Sequence, residues 1–498
     1  MLIYLHLQHP ICLNMKNRET IQKQLKELFI QLTGSEPLTI SPIAEGGSSR
    51  EYFRLNGKDN KSYIGTYNNN ILENQAFFSF GGSMKQLGLS VPEVFLINEE
   101  QDCYLQTDLG DKSLYNFFQN QADKDSFVET FTPVFKNVLD ELIQFQVKAH
   151  PSIDYTKAWP SETFNSKSIV EDLNYFRYYF VKLHPEIVCN EPKLMDEFSA
   201  FATFLAEAPS NFFMYRDFQS RNILIHENKN WFIDFQGGRK GPLQYDVISL
   251  LYQVKARLPQ PMRDQLINHY IKELHTYIDT KSIRFEYFFP FFIYLRIMQV
   301  LGAYGFRGII QKKQHFLQSI PYAIFELGAL MERNPLPDTM LEMKSVLSQI
   351  VKLKSQYFLE KKEQSTKLTV SVNSFSYLKG GIPVDKTANG GGFVFDCRSL
   401  PNPGREAHFK MLTGKDAEVI EYLEKKNEVF VFLDNIEGIL NHAIENYKDR
   451  NFLHLMVSFG CTGGQHRSVY CAEKTARWIK TKFPDILIIL KHHEQKTI

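Results

Sequence analysis

Apolar positions between residues 16 and 33 recur every three to four residues, at Ile21, Leu25, Leu28, Phe29 and Leu32. That spacing puts them on one face of a helix. From Leu38 to Arg54 the pattern becomes strand, glycine-containing turn and strand, and Ser62–Tyr67 reads as a third short strand. Residues 73–88 return to helical spacing, while Val91–Leu96 and Cys103–Gln106 read as strands. The order is that of a small, mostly β lobe with one helix.

From Leu114 the chain turns helical and aromatic-rich, broken by two short strands at Ile223–Ile225 and Trp231–Ile233 and helical again from Asp246 to about Leu353. Residues 354–367 are charged and read as a linker. Beyond them Leu368–Phe375 is β-rich and KGGIPVDKTANGGG is a glycine-rich loop. Strand signals at Phe393–Asp396, Val429–Phe432 and Leu453–Phe459 then alternate with helical signals at 414–426, 434–448 and 466–482. That alternation predicts an α/β domain. The expected fold is α+β and bilobal over 16–353, with a small lobe at 16–110 and a helical lobe at 111–353, followed by a separate α/β domain over 368–496.

A chain of 498 residues has room for two or three domains. Lys plus Arg number 57 against 56 for Asp plus Glu. This balance argues against a wholly basic surface for nucleic acid and leaves only a local patch possible. Six cysteines, at 12, 103, 189, 397, 461 and 471, form no CxxC pair. They argue against a zinc or disulfide framework and fit a reducing cytoplasm. The opening MLIYLHLQHPICL is apolar, but no Lys or Arg precedes the run and His6, His9 and Pro10 interrupt it. Residues 1–15 therefore read as an extension ahead of a start at Met15 rather than a signal peptide. With no run of about 18 apolar residues, no membrane-spanning helix is expected.

The chemistry concentrates in Met214–Leu251, MYRDFQSRNILIHENKNWFIDFQGGRKGPLQYDVISLL. Asp217 and Asn222 form D-x-x-x-x-N, and Asp234 follows a short hairpin. Phosphoryl transfer needs one carboxylate to orient and deprotonate a hydroxyl, and an amide oxygen and a second carboxylate to hold Mg²⁺ against the triphosphate of ATP. Asp217 is the candidate base, and Asn222 and Asp234 are the candidate metal ligands. Alone, D-x-x-x-x-N could be two turn residues; the hairpin and the second Asp after it outweigh that reading. Asp246, opening a helix in Gly-Pro-x-x-Tyr-Asp, reads as an N-cap or a brace for the loop. Arg216 and Arg221 flank the base and suit phosphates and carboxylates equally well.

Upstream, EGGSSREYFRL suits a hairpin whose backbone N–H groups cover phosphates, through Gly46, Gly47, Ser48 and Ser49. Glu73 opens the next helix, and the segment from Gln106 through Asp108 to Gly110 suits a hinge beside adenine.

On these residues, the region from about 20 to 350 resembles the aminoglycoside phosphotransferase and choline kinase superfamily. RDFQSRN, IDFQGGRKGPLQYDVISLL and LRIMQVLGAYGFRG resemble, within it, the anomeric kinases of N-acetylmuramic acid and N-acetylglucosamine. The resemblance implies ATP and Mg²⁺ as cofactors and phosphorylation of an amino sugar at carbon 1. Two residues depart from the wider pattern. Tyr215 stands where a His is usual, and SYIGTYN lacks the Lys that normally binds the α- and β-phosphates. Arg50 or Arg54 is the available substitute.

Residues 368–496 resemble the C-terminal domain of the RNase-adapter (RapZ) family, on FVFDCRSLPNPG, MLTGKD and FGCTGGQHRSVYCAE. A strand, the turn Cys461-Thr462-Gly463-Gly464 and a helix from about His466 form an expected anion site with Arg467 and Ser468. Asp396 and Arg398 end another strand and are expected at the same crevice. Cys461 is read as a buried turn residue rather than a nucleophile, for want of a third orienting group. The resemblance implies a sugar phosphate or UDP-sugar ligand and, in some members, RNA. Gly404 stands where members often have His, no Walker-type domain precedes the module, and the tail LKHHEQKTI is weakly basic. These departures favour a metabolite sensor over an RNA adapter.

Overall fold

The computed structural model describes residues 16–43, 50–59, 61–120, 127–357, 367–385, 392–450 and 452–495. The chain divides into two compact units, Met1–Phe358 and Leu359–Ile498.

In the first unit, α1 (Arg18–Thr33) starts behind Asn17, whose side chain accepts the Thr20 N–H, and stops at Gly34, which takes the left-handed conformation at φ +73°. The sheet consists of β1 (Thr39–Pro42), β2 (Glu51–Asn56), β3 (Ser62–Tyr67), β4 (Val94–Ile97) and β5 (Cys103–Thr107), with α2 (Ile71–Gln86) between β3 and β4. The strand order is β1-β2-β3-β5-β4, antiparallel throughout. Ile21, Leu25, Leu28 and Phe29 of α1 pack on Phe53, Leu55, Tyr67, Cys103 and Leu105 of the sheet. A Cβ at Gly65 would stand 2.9 Å from Leu25 Cδ1, so a side chain there would push the Leu25 and Leu55 methyls between α1 and β3 aside. Phe77 of α2 stacks on Phe235 with ring centroids 4.9 Å apart, joining the small lobe to the catalytic region.

The helical lobe runs α3 (Leu114–Asn120), α4 (Phe127–Ile143), α5 (Ser166–Tyr179), α6 (Glu191–Ala206), β6 (Phe212–Met214), β7 (Ile223–His226), β8 (Lys229–Phe232), β9 (Arg239–Gly241), α7 (Leu243–Leu251), α8 (Gln260–Leu274), α9 (Phe285–Tyr304), α10 (Gln314–Leu317), α11 (Ile320–Arg333), α12 (Leu341–Lys352) and α13 (Lys354–Tyr357). The stretch Phe285–Ile310 is long and apolar enough to cross a membrane by length and composition. Yet 72% of its most apolar window is buried, with α5, α7 and α11 packed around it, as in a core helix.

In the second unit, β10 (Thr369–Ser376), β11 (Gly392–Asp396), β12 (His454–Cys461) and β13 (Leu487–His492) form a parallel sheet in the order β11-β12-β10-β13. The helices are α14 (Ala417–Glu424), α15 (Asn427–Asp449) and α16 (Arg467–Lys482). The strand expected at Val429–Phe432 is instead the start of α15. Its run of β-formers is misleading, because Val429 is buried while Phe430 and Val431 are exposed, and burial continues at Ile436, Leu440 and Ile444 with helical spacing. The edge strand β13 was not expected, although residues 486–490 form an unbroken apolar run rich in Ile.

Helix α9 crosses α5 on its small residues. A Cβ on Gly302 would lie 2.9 Å from Phe176 Cα, and one on Gly305 would collide with the Tyr179 carbonyl. Gly305→Ala is expected to destabilise the first unit by about 2–3 kcal/mol through overpacking. Denaturant unfolding followed by tyrosine fluorescence would reveal it as a lower midpoint, and an unchanged midpoint would contradict the packing described.

Candidate active site

The strand β6 pairs with β9 and leads into the loop 215–222. Arg216 has φ +78° and Asp234 φ +69°, left-handed conformations that cost a residue with a side chain. The first is fixed by Asp246. Its fully buried carboxylate accepts the backbone N–H of Tyr215 at 2.7 Å and of Arg216 at 2.9 Å, and the Gln146 amide at 3.2 Å. Of the two readings of Asp246, the brace is therefore the one the structure adopts; the N-cap position of α7 is Pro242.

Around this brace the loop is tied down by its neighbours. The buried Arg216 guanidinium forms a two-pronged pair with Asp172 at 3.0 Å, donates to the Tyr245 hydroxyl at 2.5 Å and stacks on Phe164 and Tyr245. Arg216 thus pairs with a carboxylate, whereas Arg221 is exposed. Tyr215, at the position of the usual His, donates its phenol O–H to the Ile233 carbonyl at 2.7 Å. Its ring meets Phe145, Phe213, Phe218 and Phe235 edge-on. The loop is thereby linked to the residue preceding Asp234.

Asp217, Asn222 and Asp234 come together. The Asn222 amide donates to the Asp217 carbonyl at 2.8 Å and to Asp234 Oδ2 at 3.2 Å, and Gln236 donates to Asp234 Oδ1 at 2.6 Å. Burial opposes the charge on Asp217, while Arg296 and then Arg216 favour it.

Arg50, just before β2, is buried between two acids. Its guanidinium lies 3.4 Å from Glu73 Oε1 and 3.8 Å from Asp234 Oδ1. Burial pushes the Glu73 carboxyl above its ordinary value, against the pull of Arg50 and of the Asn68 amide 2.9 Å away. Arg54, the other candidate substitute for the missing Lys, is committed elsewhere. It binds Asp108 at 2.7 and 3.1 Å and Asp111 at 2.9 and 3.0 Å. The side chains of the expected hinge are likewise engaged within the lobe: Asp108 by Arg54, and Gln106 by Thr66 Oγ1 at 2.9 Å. Gly46, Gly47, Ser48 and Ser49 lie outside the described residues.

Asn222 and Asp234 present an amide and a carboxylate with hard oxygen donors, which suit Mg²⁺ or Ca²⁺ rather than a thiophilic metal. Among the described residues no group of three or more His, Cys, Asp or Glu could hold a metal ion. A divalent ion here would complete its shell with phosphate oxygens and water, as is usual for Mg²⁺ at nucleotide sites.

In the second unit the register sets Asp396 opposite Gly460, so Asp396 and Cys461 end neighbouring parallel strands. The loop after β12 exposes Thr462 and Gly463, while Gly464 turns back at φ +69° and donates its N–H to Cys461 Sγ at 3.2 Å. Ser468 Oγ lies 3.1 Å from the same sulfur. Arg467, expected to meet an anion, gives its guanidinium to the Arg398 and Leu400 carbonyls, both at 3.0 Å. His466 meets the Phe409 carbonyl at 2.9 Å, and Arg398 folds onto Asp396 at 2.6–2.9 Å. The side chains of this motif thus build the loop, and Cys461 is buried within it as expected. Gly404 lies against His466, whose ring would be 3.4 Å from a Cβ there.

The sequence reading missed Asp172, Gln146 and Arg50's pairing with Glu73. An acid at a core position of an otherwise apolar helical face was the available signal for Asp172.

A small antiparallel lobe above a helical lobe, with Asp217, Asn222 and Asp234 between them, defines a protein-kinase-like phosphotransferase fold. Residues 39–279 match the model of the phosphotransferase enzyme family, and residues 368–496 match that of the RapZ C-terminal domain. The chain joins a phosphotransferase-family domain to a RapZ-type α/β domain. A "nucleotide-binding protein" of Nitrosomonas eutropha is 40% identical over 136 residues, 27% of this chain and 44% of that protein. One of Nitrosococcus oceani is 38% identical over 129 residues, 26% of this chain and 42% of that protein. The chain spans less than half the length of these relatives. Among solved structures, an amicoumacin kinase matches over 69% of this chain and 94% of its own, at 12% identity and TM-score 0.42. A choline/ethanolamine kinase family protein of Mesorhizobium loti matches over 67% and 99%, at 13% identity and TM-score 0.40.

Burial pushes the Asp246 carboxyl up to about 7, against the three N–H donors that favour its charge. The folded chain therefore holds a proton here that the unfolded chain releases near 3.8. This contribution to stability is complete below that value and is lost as pH rises toward about 7. Asp246→Asn is expected to be less stable throughout but with a shallower loss of stability across this window. Denaturation midpoints compared at its two ends would test it, and equal slopes in both proteins would contradict it.

Proposed function

We propose that the first unit transfers the γ-phosphoryl group of ATP to a hydroxyl of a small amino sugar. The proposed acceptor position is the anomeric hydroxyl of N-acetylmuramate or N-acetylglucosamine, in the recycling of cell-wall sugars. The observation that carries this reading is the convergence of Asp217, Asn222 and Asp234 on one braced loop and hairpin.

In this reading Asp217 orients the acceptor hydroxyl and takes its proton as the oxygen attacks the γ-phosphorus and the bond to the ADP oxygen breaks. Asn222 and Asp234 hold a divalent cation, Mg²⁺ being the proposed ion, which when bound neutralises phosphate charge. Arg50, anchored by Glu73, supplies the fixed cation that β3 lacks, and its guanidinium suits phosphate oxygens geometrically. The backbone of Gln106–Gly110 is the proposed contact for the base, since the Gln106 and Asp108 side chains are engaged.

For the second unit we propose a sugar-phosphate or nucleotide-sugar ligand at the strand ends near Thr462 and Gly463. The names of the relatives and the exposed turn support this. The engagement of the Arg467, Arg398 and Ser468 side chains in internal bonds leaves backbone N–H groups as the principal donors, a weak basis for RNA.

ATP consumption with N-acetylmuramate and N-acetylglucosamine tests the kinase reading. Asp217→Ala is expected to lower turnover by about 10³-fold or more, and Arg50→Met by about 10²-fold. Arg54→Met should stay within a few-fold of the parent protein. Full activity in Asp217→Ala would remove the reading. An Arg54→Met loss as large as that of Arg50→Met would remove the assignment of the cation.

A further inference from the structure

The two oxygens of Asp234, the acid assigned to the divalent ion, are not equivalent. Oδ1 accepts the Gln236 amide N–H at 2.6 Å and lies 3.8 Å from the Arg50 guanidinium. Oδ2 accepts the Asn222 amide N–H at 3.2 Å. Gln236 has no exposure to water, so a buried amide holds a carboxylate whose backbone is already confined to the left-handed region at φ +69°. Asn222 donates from the same nitrogen to the Asp217 carbonyl at 2.8 Å and to Asp234. Its carbonyl oxygen Oδ1 takes no donor among the described residues, although Asn222 is 8% exposed. Glu73, the other acid nearby, is drawn away to Arg50 at 3.4 Å and the Asn68 amide at 2.9 Å.

Each carboxylate oxygen offers about two lone-pair sites. On Oδ1 Gln236 fills one, and the Arg50 charge beside it opposes a second cation on that oxygen. On Oδ2 Asn222 fills one and leaves the other for a metal. Asp234 is thereby a ligand through one oxygen. Mg²⁺ suits such a ligand: it demands near-ideal octahedral geometry at about 2.0–2.1 Å, with water and phosphate oxygens filling its shell. Ca²⁺ takes about six to eight oxygens at about 2.3–2.6 Å, and readily both oxygens of one carboxylate. Hydrogen bonds that orient a metal-binding group typically change metal affinity about 10- to 100-fold.

We propose that Gln236 is a positioning residue that sets which cation the site accepts: by holding Oδ1 it leaves Asp234 one oxygen for the metal and so selects Mg²⁺ over Ca²⁺. This rests on the phosphotransferase reading above, in which Asn222 and Asp234 hold the ion that enters with the nucleotide.

A non-hydrolysable ATP analogue measures this without turnover, through its Kd in excess Mg²⁺ and in excess Ca²⁺. The parent protein is expected to bind the Mg²⁺ complex at least about 10-fold more tightly than the Ca²⁺ complex. Gln236→Met, which keeps the length of the side chain and removes the donor, should shrink that ratio at least several-fold. Gln236→Glu, nearly the same shape but an acid in place of the donor, should shrink it further, and it decides alone if Gln236→Met does not fold. No preference in the parent protein would overturn the proposal. So would equal weakening of both complexes in the variants, since a role in packing alone leaves the ratio unchanged. Acceptor phosphorylation is read separately. A parent protein with the expected selectivity that phosphorylates no acceptor upholds the proposal and removes the kinase reading, and turnover with unselective cation binding does the reverse.

Discussion

A carboxylate with no exposure to water, Asp246, accepts two consecutive backbone N–H groups of the loop that carries Asp217. Buried carboxylates persist only where donors replace their water, and this one has three. In return the loop gains a fixed point at Tyr215 and Arg216. Arg216 can then hold its left-handed backbone, and its side chain is drawn inward to Asp172 rather than outward to ligand. Tyr215 carries the constraint on to Ile233, and through the next residue to Asp234. The placement of Asp217 against Asn222 and Asp234 is thus a consequence of a contact made on the far side of the loop.

A similar economy governs the small lobe. β3 turns Gly65 toward α1, where a Cβ would crowd the Leu25 methyls, and Thr66 toward Gln106 in a buried hydrogen bond. Neither position presents a cation. The guanidinium of Arg50 enters from the start of β2 and lies between an acid of α2 and an acid of the hairpin. Glu73 is itself fixed by Asn68 and, at its backbone, by Asn70. SYIGTYN has no Lys, and the buried cation beside these two acids is Arg50, just before β2.

What could be read from the chain follows the range of the interactions. Helices and strands of the small lobe follow local periodicity, and the spacing of Asp217, Asn222 and Asp234 follows one loop and one hairpin; both were legible. Arg216 with Asp172, 44 residues away, and Asp246 with Gln146, 100 away, were not, because nothing local marks their partners. Arg467 was read as an anion ligand from its place at a helix start, yet two carbonyls near β11 claim it. Val429–Phe432 was read as a strand because composition was weighed before periodicity. Nor does anything local mark Asp108 and Asp111 as the partners of Arg54.

The charges around Asp217 are divided by sign. On one side Glu73 and Asp234 outnumber the guanidinium between them, an arrangement that becomes balanced when a divalent ion and phosphates enter together. On the other, Arg296 and Arg216 act on Asp217 and favour its charged form against the cost of burial. Cations beside a carboxylate weaken its pull on a proton, so in the proposed reaction the role given to Asp217 lies more in orienting the acceptor hydroxyl than in abstracting its proton early.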